Sequence, residues 1–196
     1  MKPPHSLSDV QLRDYADEHL QYELDMLRWS ATILGYLSPH ASRGPLAWAI
    51  NNGLLNTFAT HARNLINFLY SRSSGRDRPS DIIIEDYLSQ NSSSAPIPPI
   101  PALLKEALTK AGKQVAHLTK ERIDYEKAGK EWRFGDITNE ILTVLVQVAP
   151  RISAAKLSDK LRARFLNPGR SIPIIDVSIL PSPSGADTVL TLRLRN

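Results

Sequence analysis

The chain has 196 residues, 42% of them hydrophobic, which suits one domain with a sizeable core, and it has no cysteine, which excludes disulfides, thiol catalysis and zinc sites built on thiolates. No apolar run approaches the roughly 18 residues of a membrane span, and the start, MKPPHSLSDV, has no apolar leader core, so the sequence predicts a cytoplasmic chain with no membrane segment. The net charge of +4 is uneven: from Arg151 onward eight basic residues (Arg151, Lys156, Lys160, Arg162, Arg164, Arg170, Arg193, Arg195) face three acids (Asp159, Asp176, Asp187), so the last quarter carries the whole excess.

Ser8 suits a helix N-cap, and Leu12, Ala16, Leu20, Leu24, Leu27, Ala31 and Leu34 recur at three- and four-residue steps. This predicts a long first helix from Asp9 to about Leu37, stopped by Ser38-Pro39. After the short loop HASRG, Pro45 is suited to the first turn of a second helix that runs to about Tyr70 or Ser73. So short a connection implies that the two helices pack antiparallel. The turn-rich SRSSGRDRPSD, the brief apolar IIIEDYL and the Pro-rich QNSSSAPIPPIP follow, the last of them extended, as an ordered strap or a mobile excursion. In IIIEDYL, which is too short to classify by period, Glu85 and Asp86 suit solvent-facing carboxylates.

A third helix is predicted from roughly Ala102 to Tyr125. A fourth starts near Asp136, whose side chain suits a cap, and carries Ile137, Ile141, Leu142, Val144, Leu145 and Val148. Pro150 and Ser153 mark a break before a final basic helix that ends near Asn167-Pro168-Gly169. The period then changes to two: Ile175, Val177 and Ile179 alternate with polar residues, as do Leu190, Leu192 and Leu194, across the loop PSPSGAD. The expected fold class is mainly α, an antiparallel helical bundle over residues 8–167 with a C-terminal β-hairpin appendage over residues 168–196. A lone hairpin is marginal in water, so its apolar face should lie on the bundle or on another copy, which favours a homodimer.

Three helices each turn one ionisable group inward. On the second helix Ile50, Leu54, Leu55, Phe58, Ala62, Leu65, Ile66 and Leu69 share one arc at about 100° per residue, and His61 falls inside it. Arg63 and Asn67 point away, and Asn64 sits just beyond the edge beside His61. Glu23 lies within the stripe of Leu20, Leu24 and Leu27, and Arg122 lines up with Leu104, Ala111, Val115 and Leu118. Buried charge is costly unless paired, so Glu23 and Arg122 are natural partners, with His61 in reach of either. Two readings stay open: a salt bridge with a satisfied core histidine, or a pocket in which His61 moves a proton or binds a ligand. His61 and His117 are also candidates for an acid–base pair, although His117 projects about 80° outside the apolar stripe of its helix. No HxxxH or ExxH spacing and no glycine-rich phosphate loop occurs, so neither a metal nor another cofactor is expected.

The combination of FATHARNLINFLY, IIIEDYL and VAHLTKERIDY, followed by a tryptophan and a further helix, resembles a family of uncharacterised bacterial helical proteins over roughly Asp9 to Val148. More loosely, the bundle resembles the HEPN superfamily, many members of which are ribonuclease toxins or defence proteins. The mark of that superfamily is an arginine followed after four to six residues by a histidine near a later helix. Here the one formal match is RDYADEH, Arg13 to His19, in the first helix, so the resemblance implies a fold and carries no catalytic residues over.

The leading expectation is a helical-bundle interaction or ligand-binding protein with Glu23, His61, Asn64 and Arg122 as its polar cluster. The first alternative is a metal-independent ribonuclease of a toxin or defence system, using His61 or His117 with Arg63 or Arg122 against phosphate. The second is nucleic-acid binding through the basic C-terminal part. A nucleic acid or a cognate protein is then the partner to expect besides a second copy.

Overall fold

The computed structural model describes residues 7–37, 44–71, 80–89, 97–116, 131–168, 174–181 and 188–195. The protein is mainly helical. The first helix begins where a capping box predicts: Ser8 Oγ accepts from Gln11 N at 3.3 Å, and Gln11 Oε1 accepts from Ser8 N at 2.9 Å. It runs as α1 (Asp9–Tyr15), a π-helical turn (Ala16–Leu20) and α2 (Gln21–Leu37) without a break. The π turn was not expected, and it has a packing reason. Leu12, Ala16, Leu20 and Leu24 are spaced by four, and on a regular α-helix each such step drifts about 40°, or roughly 120° over three. The wider i→i+5 turn takes up that drift, and all four residues are buried in one core with Leu27, Ala31 and Leu34.

Pro45 opens α3 (Pro45–Tyr70), as the sequence predicts. Glu23, near the start of α2, meets His61, near the end of α3, so the two helices run antiparallel. The predicted arc holds only in part. Phe58, Ala62, Leu65, Ile66 and Leu69 are buried and Leu54 and Leu55 pack partly on the core, but Ile50 is exposed.

The IIIEDYL stretch forms one helical turn, α4 (Ile84–Tyr87). Glu85 and Asp86 are half-buried rather than free in solvent, since Asp86 Oδ2 accepts from Ile83 N at 2.9 Å and closes the turn. The Pro-rich loop ends as an ordered strap at residues 97–101, where Ile97 and Ile100 pack on the core. The third helix is α5 (Ala102–Lys110) with a π-helical continuation (Ala111–Ala116), and its predicted course to Tyr125 lies outside the described residues.

The fourth helix, α6 (Phe134–Val148), starts two residues before the predicted Asp136. Asp136 is not its cap: it sits in the first turn and pairs with Arg133, whose Nε donates to Oδ2 at 2.7 Å. The aromatic residues at this entry explain the early start, since Trp132 and Phe134 both meet Phe58 edge to face at 5.9 and 5.0 Å. A 3₁₀ turn (Ala149–Arg151) breaks the chain at Pro150 as expected, before α7 (Asp159–Leu166), which Ser158 caps by accepting from Leu161 N at 3.2 Å. Two extended stretches follow, β1 (Ile174–Pro181) and β2 (Thr188–Arg195).

Burial of phenols sets the behaviour at high pH. Burial, with Glu140 nearby, pushes Tyr70 up to about 12, and burial, with Tyr15, Asp86 and Asp17 nearby, raises Tyr87 further. Tyr15 is raised too, by burial and then by the charge of Glu23. An unfolded tyrosine ionises near pH 10, so the stability these groups contribute is complete below about pH 10 and is lost as pH climbs toward the folded values. Urea unfolding between about pH 9 and 11.5 should show that decline, with a shallower slope for Tyr87→Phe. A flat profile over that range would contradict it.

Candidate functional site

Three members of the polar cluster expected at the α2–α3 contact, Glu23, His61 and Asn64, come together. His61 is buried as its projection required, with 8% of its surface exposed. Its Nδ1 lies 2.7 Å from Glu23 Oε2, and Asn64 Nδ2 donates to both Glu23 oxygens at 3.2 Å. A carboxylate only accepts, so the proton of the imidazole sits on Nδ1, and in the neutral ring Nε2 is the acceptor. Tyr22 stands edge-on to the imidazole at 5.4 Å and fixes its plane. His61 and Asn64 thus both hydrogen-bond the Glu23 carboxylate. Arg122, expected to be its partner, and His117 lie outside the described residues.

Glu23 forms part of the wall of a groove of about 350 Å³ between the π turn of the first helix and the last turns of α3. Asn64, Asn67 and Phe68 form the α3 side, Tyr15 and His19 the opposite side, and Asp81 lies at the rim. Glu23 Oε2 accepts from His61 and Asn64 and Oε1 from Asn64, but a carboxylate has about four acceptor positions, so this groove-lining group keeps capacity for a further donor. His61 is not on the groove wall: it stands behind Glu23 and holds it. Arg63 is half-buried and is not among the groove-lining residues.

Sequence reasoning missed Tyr15, His19, Asn67 and Asp81. Asn67 was placed away from the apolar arc, which is correct, but away from the core here means into the groove. The rings of Tyr15 and His19 lie 4.7 Å apart, four residues apart in sequence, a spacing that signals contact on any helix. Glu23 follows His19 by the same step of four, so the three share one side of the first helix, and the groove exists only where α3 and residues 80–82 close it. The formal Arg13 to His19 match is split by the structure: His19 reaches the groove, whereas Arg13 donates to Ala155 O at 3.0 and 2.7 Å.

Three of the basic residues between Arg151 and Leu166 have internal partners. Arg164 forms a two-pronged ion pair with Asp25, Arg162 donates to the carbonyls of Ala149 and Ile152, and Lys156 donates to Asp86 O at 2.8 Å. Among the described residues no group of three or more His, Cys, Asp or Glu side chains is placed to hold a metal ion. Among them, too, no helix is long and apolar enough to cross a membrane.

The fold and the groove define a helical bundle with a polar cleft built on a carboxylate–histidine–amide cluster. The chain matches no model of a protein family, no characterised protein and no solved structure.

Proposed function

We propose that the protein is a ligand-binding helical bundle of the cytoplasm, self-associating as a homodimer, whose groove takes a small polar molecule that donates hydrogen bonds to Glu23. The observation that carries this reading is the Glu23 carboxylate, held by His61 and Asn64 with acceptor capacity to spare, in the wall of a groove of about 350 Å³. The aromatic faces of Tyr15 and Phe68 and the amide of Asn67 supply the mixed apolar and polar wall that such sites use. The paired backbone of β1 and β2, with Val177 opposite Leu192, supports a C-terminal hairpin appended to the bundle.

A second reading, a metal-independent ribonuclease, draws on the same 2.7 Å contact, since a carboxylate that orients an imidazole is the arrangement of a general base. Two observations weigh against it. Among the described residues that line the groove none is Lys or Arg, and Glu23 would repel a phosphodiester. Arg72, Arg76 and Arg78, between Ser71 and Ser80 at the rim, lie outside the described residues. Nucleic-acid binding through the basic C-terminal part is weakened by the internal engagement of Lys156, Arg162 and Arg164.

Ligand-observed NMR with fragments bearing ammonium, guanidinium or amide groups tests the proposal. We expect fragments that bind the parent, weaken about tenfold or more in Glu23→Gln through the lost charge-assisted bond, and vanish when Asn67→Trp fills the groove. Fragments indifferent to both substitutions, or none at all, would sink it. RNA cleavage abolished by His61→Ala would favour the ribonuclease instead.

A further inference from the structure

The acceptor positions left on Glu23 limit what the groove can hold. Oε2 accepts from His61 Nδ1 at 2.7 Å and from Asn64 Nδ2 at 3.2 Å, and Oε1 accepts from Asn64 Nδ2 at 3.2 Å. Counted by oxygen, both positions of Oε2 are in use and one of Oε1, so a single position of about four remains. A guanidinium grips a carboxylate as a fork, with one N–H to each oxygen, and therefore needs a position on both. Glu23 has room for one donor, not for a fork. Asn64 and a neutral His61 orient the carboxylate without cancelling its charge, and that charge is felt within the groove: after burial, it is what raises the phenol of Tyr15. Asp81 adds a second carboxylate at the rim, and among the described lining residues none is Lys or Arg. A cleft lined by one sign of charge concentrates ligands of the other.

We infer that the ligand of this groove is a small organic amine, bound as its ammonium ion with one N–H donated to Glu23. The inference rests on the ligand-binding reading and names the chemical class that the site selects. An ammonium is a compact point charge with donors that rotate freely, so one of them fits a single open position, which a planar fork does not. Asn67, Ser71 and Ser80 line the same groove and offer neutral oxygens to the other donors. The rings of Tyr15 and Phe68 in its wall suit both the charge, through the negative face of an aromatic ring, and the carbon skeleton that carries it. A bare metal ion fits less well, because it takes several protein ligands at once and among the described residues no group of three His, Cys, Asp or Glu is placed to supply them. The volume of about 350 Å³ lies at the low end for ligand sites and suits a small molecule rather than a chain.

Three probes that share one ring and differ only in the group offered to Glu23 test this: benzylamine, benzyl alcohol and benzylguanidine, titrated against the protein at about pH 7.5, where the amine is charged, and followed by ligand-observed NMR. Benzylamine should bind at least tenfold more tightly than either of the others, through the charge it has over the alcohol and the single-point contact it has over the guanidine. That preference should disappear in Glu23→Gln and shrink severalfold in Tyr15→Leu, and Asn67→Trp should block all three. Should Glu23→Gln fail to fold, the ranking of the three probes by the parent decides alone. Equal affinity for amine and alcohol, or tighter binding of the guanidine, with Asn67→Trp still blocking, would overturn the ammonium and leave the groove a ligand site. No binding by any probe, or binding indifferent to Asn67→Trp, would overturn the groove and the ammonium together.

Discussion

Asp25→Ala should destabilise the protein by about 3 kcal/mol, the cost of breaking a largely buried ion pair from one side. Asp25 is the carboxylate of a three-charge cluster. Arg164 grips it with both terminal nitrogens, with side-chain exposures of 15% for Arg164 and 22% for Asp25. Arg28, 5% exposed, lies close by and donates to the carbonyl of Pro168. Burial and then the neighbouring charge of Arg164 lower the pKa of Arg28, and Asp25 is the group that opposes them. Removing Asp25 therefore strands two guanidiniums, each of which already has an Nε without a hydrogen-bond partner. Arg164→Ala leaves one carboxylate near one guanidinium and should cost about half as much. For a chain of this size the Asp25 variant should melt roughly 6 to 12 °C lower. Equilibrium urea unfolding of both variants decides the matter: an Asp25→Ala protein within about 1 kcal/mol of the parent, or an Arg164→Ala protein less stable than it, would refute the cluster.

The second large effect is expected at Tyr87. This residue sits on the single turn of α4 with no exposed surface, its hydroxyl donates to Leu12 O at 3.0 Å, and its ring meets Phe68 at 5.7 Å and 71°. Its own carbonyl accepts from Ser153 N at 2.9 Å, so one side chain and its backbone bind α1, α3 and the segment after α6. Tyr87→Ala should cost about 4 kcal/mol, from lost burial and the cavity left behind. Tyr87→Phe keeps the ring and should cost only about 1 kcal/mol, because the Leu12 carbonyl retains its helical partner, Ala16 N. If the two variants melted together, the hydroxyl rather than the packed ring would be the stabilising element, and the cavity argument would fail.

Much of the helical plan was legible in the chain. The Leu12-to-Leu34 stripe, the start of α3 at Pro45 and the inward turn of His61 and Glu23 all follow from a local period, and the backbone hydrogen bonds that set this period span only four or five residues. Ser8 shows the same locality, since its capping box closes within three residues. The sequence by itself therefore determined which residues are helical and, for most of them, which face is buried.

Partners were decided only by the tertiary structure. Among the described residues Glu23 is met by His61 and Asn64, 38 and 41 residues away, and helix rotation and depth decide which polar edge meets a carboxylate; Arg122, its other expected partner, lies outside the described residues. Asp25 and Arg164 are 139 residues apart, and Arg164 looked like one more charge of a basic tail until α7 packed against the first helix. The π turn is the clearest case. Nothing in the composition of Ala16–Leu20 sets it apart from an α-helix. It forms because burying Leu12, Ala16, Leu20 and Leu24 in one core outweighs regular hydrogen bonding. Local periods are written in neighbouring residues. The groove depends on how separate helices rotate to share one core, which no single segment encodes.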